Sequence, residues 1–274
     1  MNKLNKPRFL VSVALLVAIT SIVYSNLEAS SVFFANTQLY LSEYLGWLII
    51  LMANGFLIFS TYLIFTKYKN IKLGGSEAMP SYTYKTWVAM LFSAGLGIGL
   101  LFFGVAEPIG NLNDYPGMIK GDLSYNASKA LSLANLHWGL HGWAIYSALG
   151  LCFAYASYNK NKAFRVSSLL GAKVENNKFL AASIDIIAIL TTITGIATSL
   201  GLGASQINGG LDYVFGINIS EITLIIIITM LGLISVTLGL DKGIKRLSQI
   251  NMTVATFLML SILILGPTLF IMNS

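Results

Sequence analysis

Charge is what this sequence has least of. Only 10% of its 274 residues are Asp, Glu, Lys or Arg, 55% are hydrophobic, and the mean hydropathy is +0.74. Water-soluble domains carry roughly a quarter charged residues, so a soluble enzyme, a secreted disulfide scaffold and a disordered tail are all excluded. Cysteine is nearly absent as well. The single Cys152 allows no internal disulfide, and its place inside an apolar run reads as small-residue helix packing, so sulfur says nothing about the compartment. The strand-length alternation of polar and apolar positions that marks a membrane barrel is also missing.

What the chain has instead is long apolar runs. Seven stand out, at roughly 9–26, 46–66, 86–106, 131–157, 180–205, 220–238 and 250–272. Most approach the length of about twenty residues that crosses about 30 Å of hydrocarbon as a helix. The expected fold is therefore an all-α polytopic membrane protein. The first run could pass for a signal peptide, but Tyr24-Ser25-Asn26-Leu27-Glu28 offers no small-x-small cleavage site, and it is read as a retained helix.

The net charge of +6 and the pI near 9.3 then need a location. One set of alternate loops holds fifteen of the seventeen basic residues: Lys3, Lys6 and Arg8; Lys67, Lys69, Lys72 and Lys85; Lys160, Lys162, Arg165, Lys173 and Lys178; Lys242, Lys245 and Arg246. The other set holds only Lys120 and Lys129, together with Glu28, Glu43, Asp114, Asp122, Asp212 and Glu221. Basic residues accumulate on the cytoplasmic side, so the N-terminus is expected inside and Ser274 outside. The positive charge is a topology signal beside anionic lipid. Membrane lipid is thus an expected partner and nucleic acid is not.

Three clusters of glycine and small polar residues exceed what a structural span needs. The third segment reads Ser93-Ala94-Gly95-Leu96-Gly97-Ile98-Gly99, with Gly104 and Glu107-Pro108 beyond. Each glycine weakens a helix by about 1 kcal/mol relative to alanine, and a break here would free backbone groups to line a cavity. A close helix contact of the small-xxx-small kind, Gly95 to Gly99, fits equally well.

The fourth segment carries Asn135, His137, Trp138, Gly139, His141, Gly142, Trp143 and Tyr146. On one helix, Trp138, Tyr146 and Trp143 fall at roughly 0°, 80° and 140°. Such an aromatic face can enclose a quaternary ammonium by cation–π attraction. An interfacial aromatic belt is the alternative, although Trp143 and Tyr146 lie at least a turn inside the segment. His137 and His141 are four apart, but no third histidine exists to complete a zinc site. Bonds to neighbouring helices or a proton-handling role suit them better.

In the fifth segment Asp185, Thr192, Gly195 and Ser199 form one polar stripe. It could face an aqueous path, or its hydroxyls could simply bond their own helix. Asp185 is expected near the cytoplasmic end, partly hydrated.

Taken together, these motifs resemble those of the betaine/carnitine/choline transporter family. The third segment resembles the family's glycine-rich helix, whose usual centre is GMGIG; Leu96 stands at the methionine. The stretch His137-Trp138-Gly139-Leu140-His141-Gly142-Trp143-Ala144-Ile145-Tyr146 is similar to its fourth-helix signature. So are Gly195-Ile196-Ala197-Thr198-Ser199-Leu200-Gly201-Leu202-Gly203, Gln206-Ile207-Asn208, the run from Gly239 to Ser248, and Gly266-Pro267-Thr268.

The resemblance implies secondary active transport, by ion-coupled symport or exchange, of glycine betaine, choline or carnitine across the bacterial plasma membrane, in the service of osmoprotection. It also implies two leading helices (1–66) followed by the first five-helix repeat (67–274) of a leucine-transporter-type inverted-repeat fold. Trp138, Trp143 and Tyr146 match the box around the ammonium. Gly95, Gly97 and Gly99 match the unwound stretch that meets the substrate carboxylate. Ser93 and Leu96 match one sodium site and Thr192 one hydroxyl of another, where Ile196 stands in place of the second hydroxyl.

No cofactor, metal or catalytic residue is expected, only sodium or a proton as coupling ion. Family members have twelve helices and complete the box with tryptophans beyond the matching region. The expectation is therefore a truncated or split chain, with a second chain carrying the remaining helices and a homo-oligomer as a further partner; an inactive fragment is the alternative. A retinal or receptor protein is disfavoured by the inferred orientation and the lack of a lysine in the last helix, and an intramembrane enzyme by the lack of a nucleophile–base pair.

Overall fold

The computed structural model describes residues 6–114, 119 and 121–273. Lys3, Lys120 and Ser274 of the charge argument lie outside the described residues, as does the side chain of Asp114. All regular structure among the described residues is helical, which satisfies the backbone within each segment where no water is present.

In chain order the α-helices are α1 (Lys6–Ser25), α2 (Leu27–Phe65), α3 (Tyr84–Gly95), α4 (Gly104–Asp114), α5 (Leu123–Trp138) and α6 (Leu140–Ala154). They continue with α7 (Val166–Leu169), α8 (Ala172–Asn176), α9 (Lys178–Phe215), α10 (Glu221–Thr237), α11 (Lys245–Leu265) and α12 (Thr268–Asn273). Wider π-helical turns occupy Leu96–Phe103, Tyr155–Asn159 and Leu240–Ile244.

Among the described residues, five helical stretches are long and apolar enough to cross a membrane: Lys6–Ser25, Leu27–Phe65, Tyr84–Leu112, Lys178–Phe215 and Leu240–Leu265. The chain is a polytopic membrane protein. α10 is apolar but shorter, at 17 residues.

Four expectations from the sequence change. The run 131–157 is not one helix, because α5 stops at Trp138 and α6 starts afresh at Leu140. The polar stretch from 27 to 45, read as a loop, is helical and makes α2 39 residues long, about 58 Å at helical rise and well beyond the hydrocarbon thickness. The last run ends at Leu265 instead of near 272, since the residue before Pro267 is pushed out of the helical region and Gly266 adopts φ −87°, ψ −167°. Cys152 is exposed, so it does not serve as close-packed filler.

The described residues form two compact units, one of residues 1–78 and 135–195 and the other of 79–134 and 196–274. Their packing follows membrane logic, with small residues inside and large apolar ones outside. Ala144, Ala148, Ala181, Ala204, Ala130 and Ala255 are buried, while most Leu, Ile and Phe are exposed.

In the first unit, α6 presents Ala144 and Ala148 one turn apart, and this face meets α2. Ser60 Oγ donates to the Ala144 carbonyl at 3.4 Å and lies 3.5 Å from Ser147 Oγ. Asn159 ties the loop after α2, donating to Lys72 O at 2.9 Å and accepting from Gly74 N at 3.2 Å.

In the second unit, Thr83 caps α3 by accepting from Thr86 N at 3.4 Å. α11 packs against α3, with Gln249 Nε2 donating to Thr86 Oγ1 at 3.2 Å. Between α10 and α11 the chain turns so tightly that a Cβ at Gly243 would sit 1.9 Å from Ser235 O. That contact accounts for one glycine of the motif beginning at Gly239.

Candidate functional site

The aromatic residues belong to the first unit. The chain breaks at Gly139, with φ −84° and ψ −145°. A Cβ there would sit 2.3 Å from Asn135 O, and one at Gly142 would sit 2.8 Å from His137 O. Both glycines are thus required by the backbone itself.

The break alters the aromatic arrangement derived for a single helix. Trp138 ends α5, whereas Trp143 and Tyr146 lie on α6, Trp143 within its first turn. Trp143 therefore does not sit deep in a continuous helix. Trp143 and Tyr146 are three residues apart and face one another edge-on, with centroids 6.0 Å apart and planes at 89°. Trp138, Trp143 and Tyr146 are all exposed. His141 Nε2 lies 3.3 Å from Asn54 Oδ1 of α2, which is a bond to a neighbouring helix.

Asp185 differs most from its expected environment. It is 6% exposed, not partly hydrated. Its carboxylate pairs with Arg8 at the start of α1, and it accepts from Ser167 N and Ser167 Oγ at 3.0 Å each. Desolvating a carboxylate costs several kcal/mol unless it is paired and hydrogen-bonded, and here it has both kinds of compensation. A cavity of about 390 Å³ opens beside this network, lined in part by Arg8, Phe153, Phe164, Asp185 and Thr192. Thr192 Oγ1 donates to Ala188 O at 2.7 Å, which leaves the oxygen's lone pairs free to accept.

The glycine-rich stretch belongs to the second unit. The expected break takes another form there. α3 ends at Gly95 and the backbone continues as a π-helix from Leu96 to Phe103, before α winding resumes at Gly104. Glycines favour neither α nor π winding, and the extra residue in each hydrogen-bonded loop is absorbed without loss of helical continuity. Single-turn π-bulges are frequent at functional sites, and this stretch is longer, at eight residues. Ser93, Gly95, Leu96, Gly97 and Gly99 therefore sit along one continuous stretch. Ser93 is held by Asn251 of α11, whose Nδ2 donates to Ser93 Oγ at 2.9 Å and to the Ser93 carbonyl at 3.3 Å.

The sequence reading did not single out Arg8, Ser167, Asn54 or Asn251. Asn54 and Asn251 carried a usable signal, since an amide inside an apolar run requires a partner. Arg8 and Ser167 carried none.

Comparison with known proteins decides the family. The family model described as BCCT, betaine/carnitine/choline family transporter, matches residues 7–274. The chain belongs to this family of transporters. Its membership is in a transporter family and not an enzyme family.

A glycine betaine transporter of Bacillus subtilis is 44% identical over 246 residues, covering 87% of this chain and 48% of that protein. A glycine betaine/proline/choline transporter of Vibrio parahaemolyticus is 39% identical, covering 88% of this chain and 47% of its own length. An ectoine/hydroxyectoine transporter of Virgibacillus pantothenticus is 36% identical, covering 100% of this chain and 56% of its own. The chain spans about half the length of these relatives.

Proposed function

We propose that this BCCT chain takes part in secondary active transport of quaternary-ammonium solutes such as glycine betaine, choline or carnitine across the plasma membrane, with its N-terminus in the cytoplasm. The observation that carries this reading is the edge-to-face pair Trp143–Tyr146, positioned by a break that only glycine at 139 and 142 accommodates. A trimethylammonium group has no N–H to donate, so recognition by aromatic faces suits it, at about 2 kcal/mol or more per desolvated contact.

In this reading Trp138, Trp143 and Tyr146 of the first unit attract the ammonium. In the second unit Gly95, Gly97 and Gly99 expose backbone toward an anionic head. The carbonyls of Ser93 and Leu96, and the Thr192 hydroxyl, are ligands for sodium; a proton is the alternative coupling ion. Hydroxyl and carbonyl oxygens are the ligands a hard cation takes. The reading also treats 1–66 as two leading helices and 67–274 as the first repeat of an inverted-repeat fold, in which solute and ion sites lie near the bilayer midplane. The relatives' names widen the solutes to be tested to proline and ectoine.

The test is radiolabelled betaine uptake into proteoliposomes, with this chain alone and with this chain fused to the remaining helices of the Bacillus subtilis relative. Uptake by the fusion that is competed by choline or carnitine is the expected result. A correctly folded fusion that takes up none of these solutes would overturn the proposal. Uptake by the fusion should depend only weakly on sodium, since Ile196 occupies the position of a second hydroxyl; a steep, cooperative sodium dependence would contradict that part.

A further inference from the structure

The π-helical stretch Leu96–Phe103 is held by a side chain to which the proposed function gives no role. In π winding each carbonyl meets the amide five residues on, so where α winding resumes one carbonyl is passed over. Winding resumes at Gly104, whose N–H bonds back to Gly99 O and Phe102 O. The Leu101 carbonyl lies on this return stretch, and Gln206 of α9 donates Nε2 to it at 3.0 Å. Gly203 is three residues before Gln206 and shares its face. A Cβ at Gly203 would sit 3.4 Å from Ile98 Cδ1, so the two segments are already in close contact there. All of these residues belong to the second unit.

We infer that Gln206 is a positioning residue for the π-helical stretch: its amide pins the Leu101 carbonyl at the junction where π winding gives way to α winding and thereby fixes the orientation of Gly97 and Gly99. Without the Gln206 amide the junction loses this hold from α9, and the backbone is free to settle into the commoner register. Here that register is the α-helix, which expels the extra residue. Each residue expelled rotates the following chain by about 100°, enough to turn the glycine backbone away from a solute. The consequence for transport rests on the proposed function; the bond itself does not.

The experiment measures amide hydrogen exchange of this chain in lipid nanodiscs, alongside betaine affinity of the fused protein. In Gln206→Leu, protection across residues 101–106 should fall about tenfold while that of residues 181–195 holds. Betaine affinity of the fusion should fall with it. Gln206→Glu guards against misfolding of the leucine variant, because a protonated carboxyl donates to the Leu101 carbonyl and a carboxylate cannot. Its protection relative to wild type should therefore be near normal at about pH 4, where the carboxyl is protonated.

Unchanged protection in a folded Gln206→Leu, or protection in Gln206→Glu at about pH 4 that falls as far as in Gln206→Leu, overturns the inference. If the wild-type fusion binds no betaine while protection responds as described, the transport reading fails and the role of Gln206 stands. If the wild-type fusion binds betaine and Gln206→Leu binds it equally well with protection intact, only the role of Gln206 fails.

Discussion

Replacing Asp185 with leucine would leave the Arg8 guanidinium without its carboxylate in a site that water reaches poorly. The two side chains are 17% and 7% exposed. Removing one partner of a buried ion pair costs about 3–5 kcal/mol, and the residual exposure of Arg8 puts this pair near the lower end, about 3 kcal/mol. Ser167 also loses the acceptor for its N–H and O–H, which adds about 1 kcal/mol. At about 2–4 °C per kcal/mol for a chain of this size, the expected drop in melting temperature is roughly 8–16 °C.

The double replacement Arg8→Met with Asp185→Leu should recover most of that loss, because a packed apolar pair is often neutral or better than the ion pair it replaces. That reversal separates the charge from simple packing. Melting should be followed in nanodiscs by tryptophan fluorescence, since Cys152 is exposed and a thiol-reactive dye would label the folded state. A loss below about 1 kcal/mol, the range of a surface pair, would refute the buried-pair reasoning. So would a double variant no more stable than Asp185→Leu.

Trp143→Leu in the fused protein should weaken betaine binding by at least tenfold, whereas Trp47→Leu, on α2 with its Nε1 donating to Tyr44 O, should change it less than twofold; equal losses by equilibrium binding would dismiss the aromatic site. Gly139→Ala should destabilise by about 1–3 kcal/mol, since its Cβ meets backbone, while Gly150→Ala in α6, with open space around it, should stabilise by up to about 1 kcal/mol. Melts giving both the same sign would refute the assignment of the break. The hydrogen bond from Lys162 Nζ at 2.8 Å holds the Glu175 carboxyl below the usual carboxylate range. A depressed carboxylate stabilises the fold above its unfolded value and loses that contribution as pH falls through the folded one. The melting gap between wild type and Glu175→Gln should therefore be full at neutral pH and close only below the ordinary range of a glutamate; a gap independent of pH would refute it.

Apolar run length announced the membrane-spanning helices, and each of the seven runs falls on helical structure. The boundaries were less legible. Gly139 interrupts a run that hydropathy counts as continuous, because hydropathy does not register a Cβ that would strike a carbonyl four residues back. The three glycines of the third segment announced an irregular helix, yet nothing in their spacing distinguishes a rupture from π winding. That choice depends on donors such as Gln206, 105 residues from the carbonyl it meets.

The sequence by itself determined the membrane class, the family and the residue types offered to a solute, because burial in hydrocarbon depends on composition and run length and because motifs survive in linear order. Tertiary structure alone decided that Asp185 is buried and paired, that Trp138 lies on a different helix from Trp143 and Tyr146, and that Ser93 is held by Asn251. Arg8 stands 177 residues from Asp185. A charge so placed reads as a topology signal along the chain and becomes an ion pair only when folding brings the two helices together and removes the water between them.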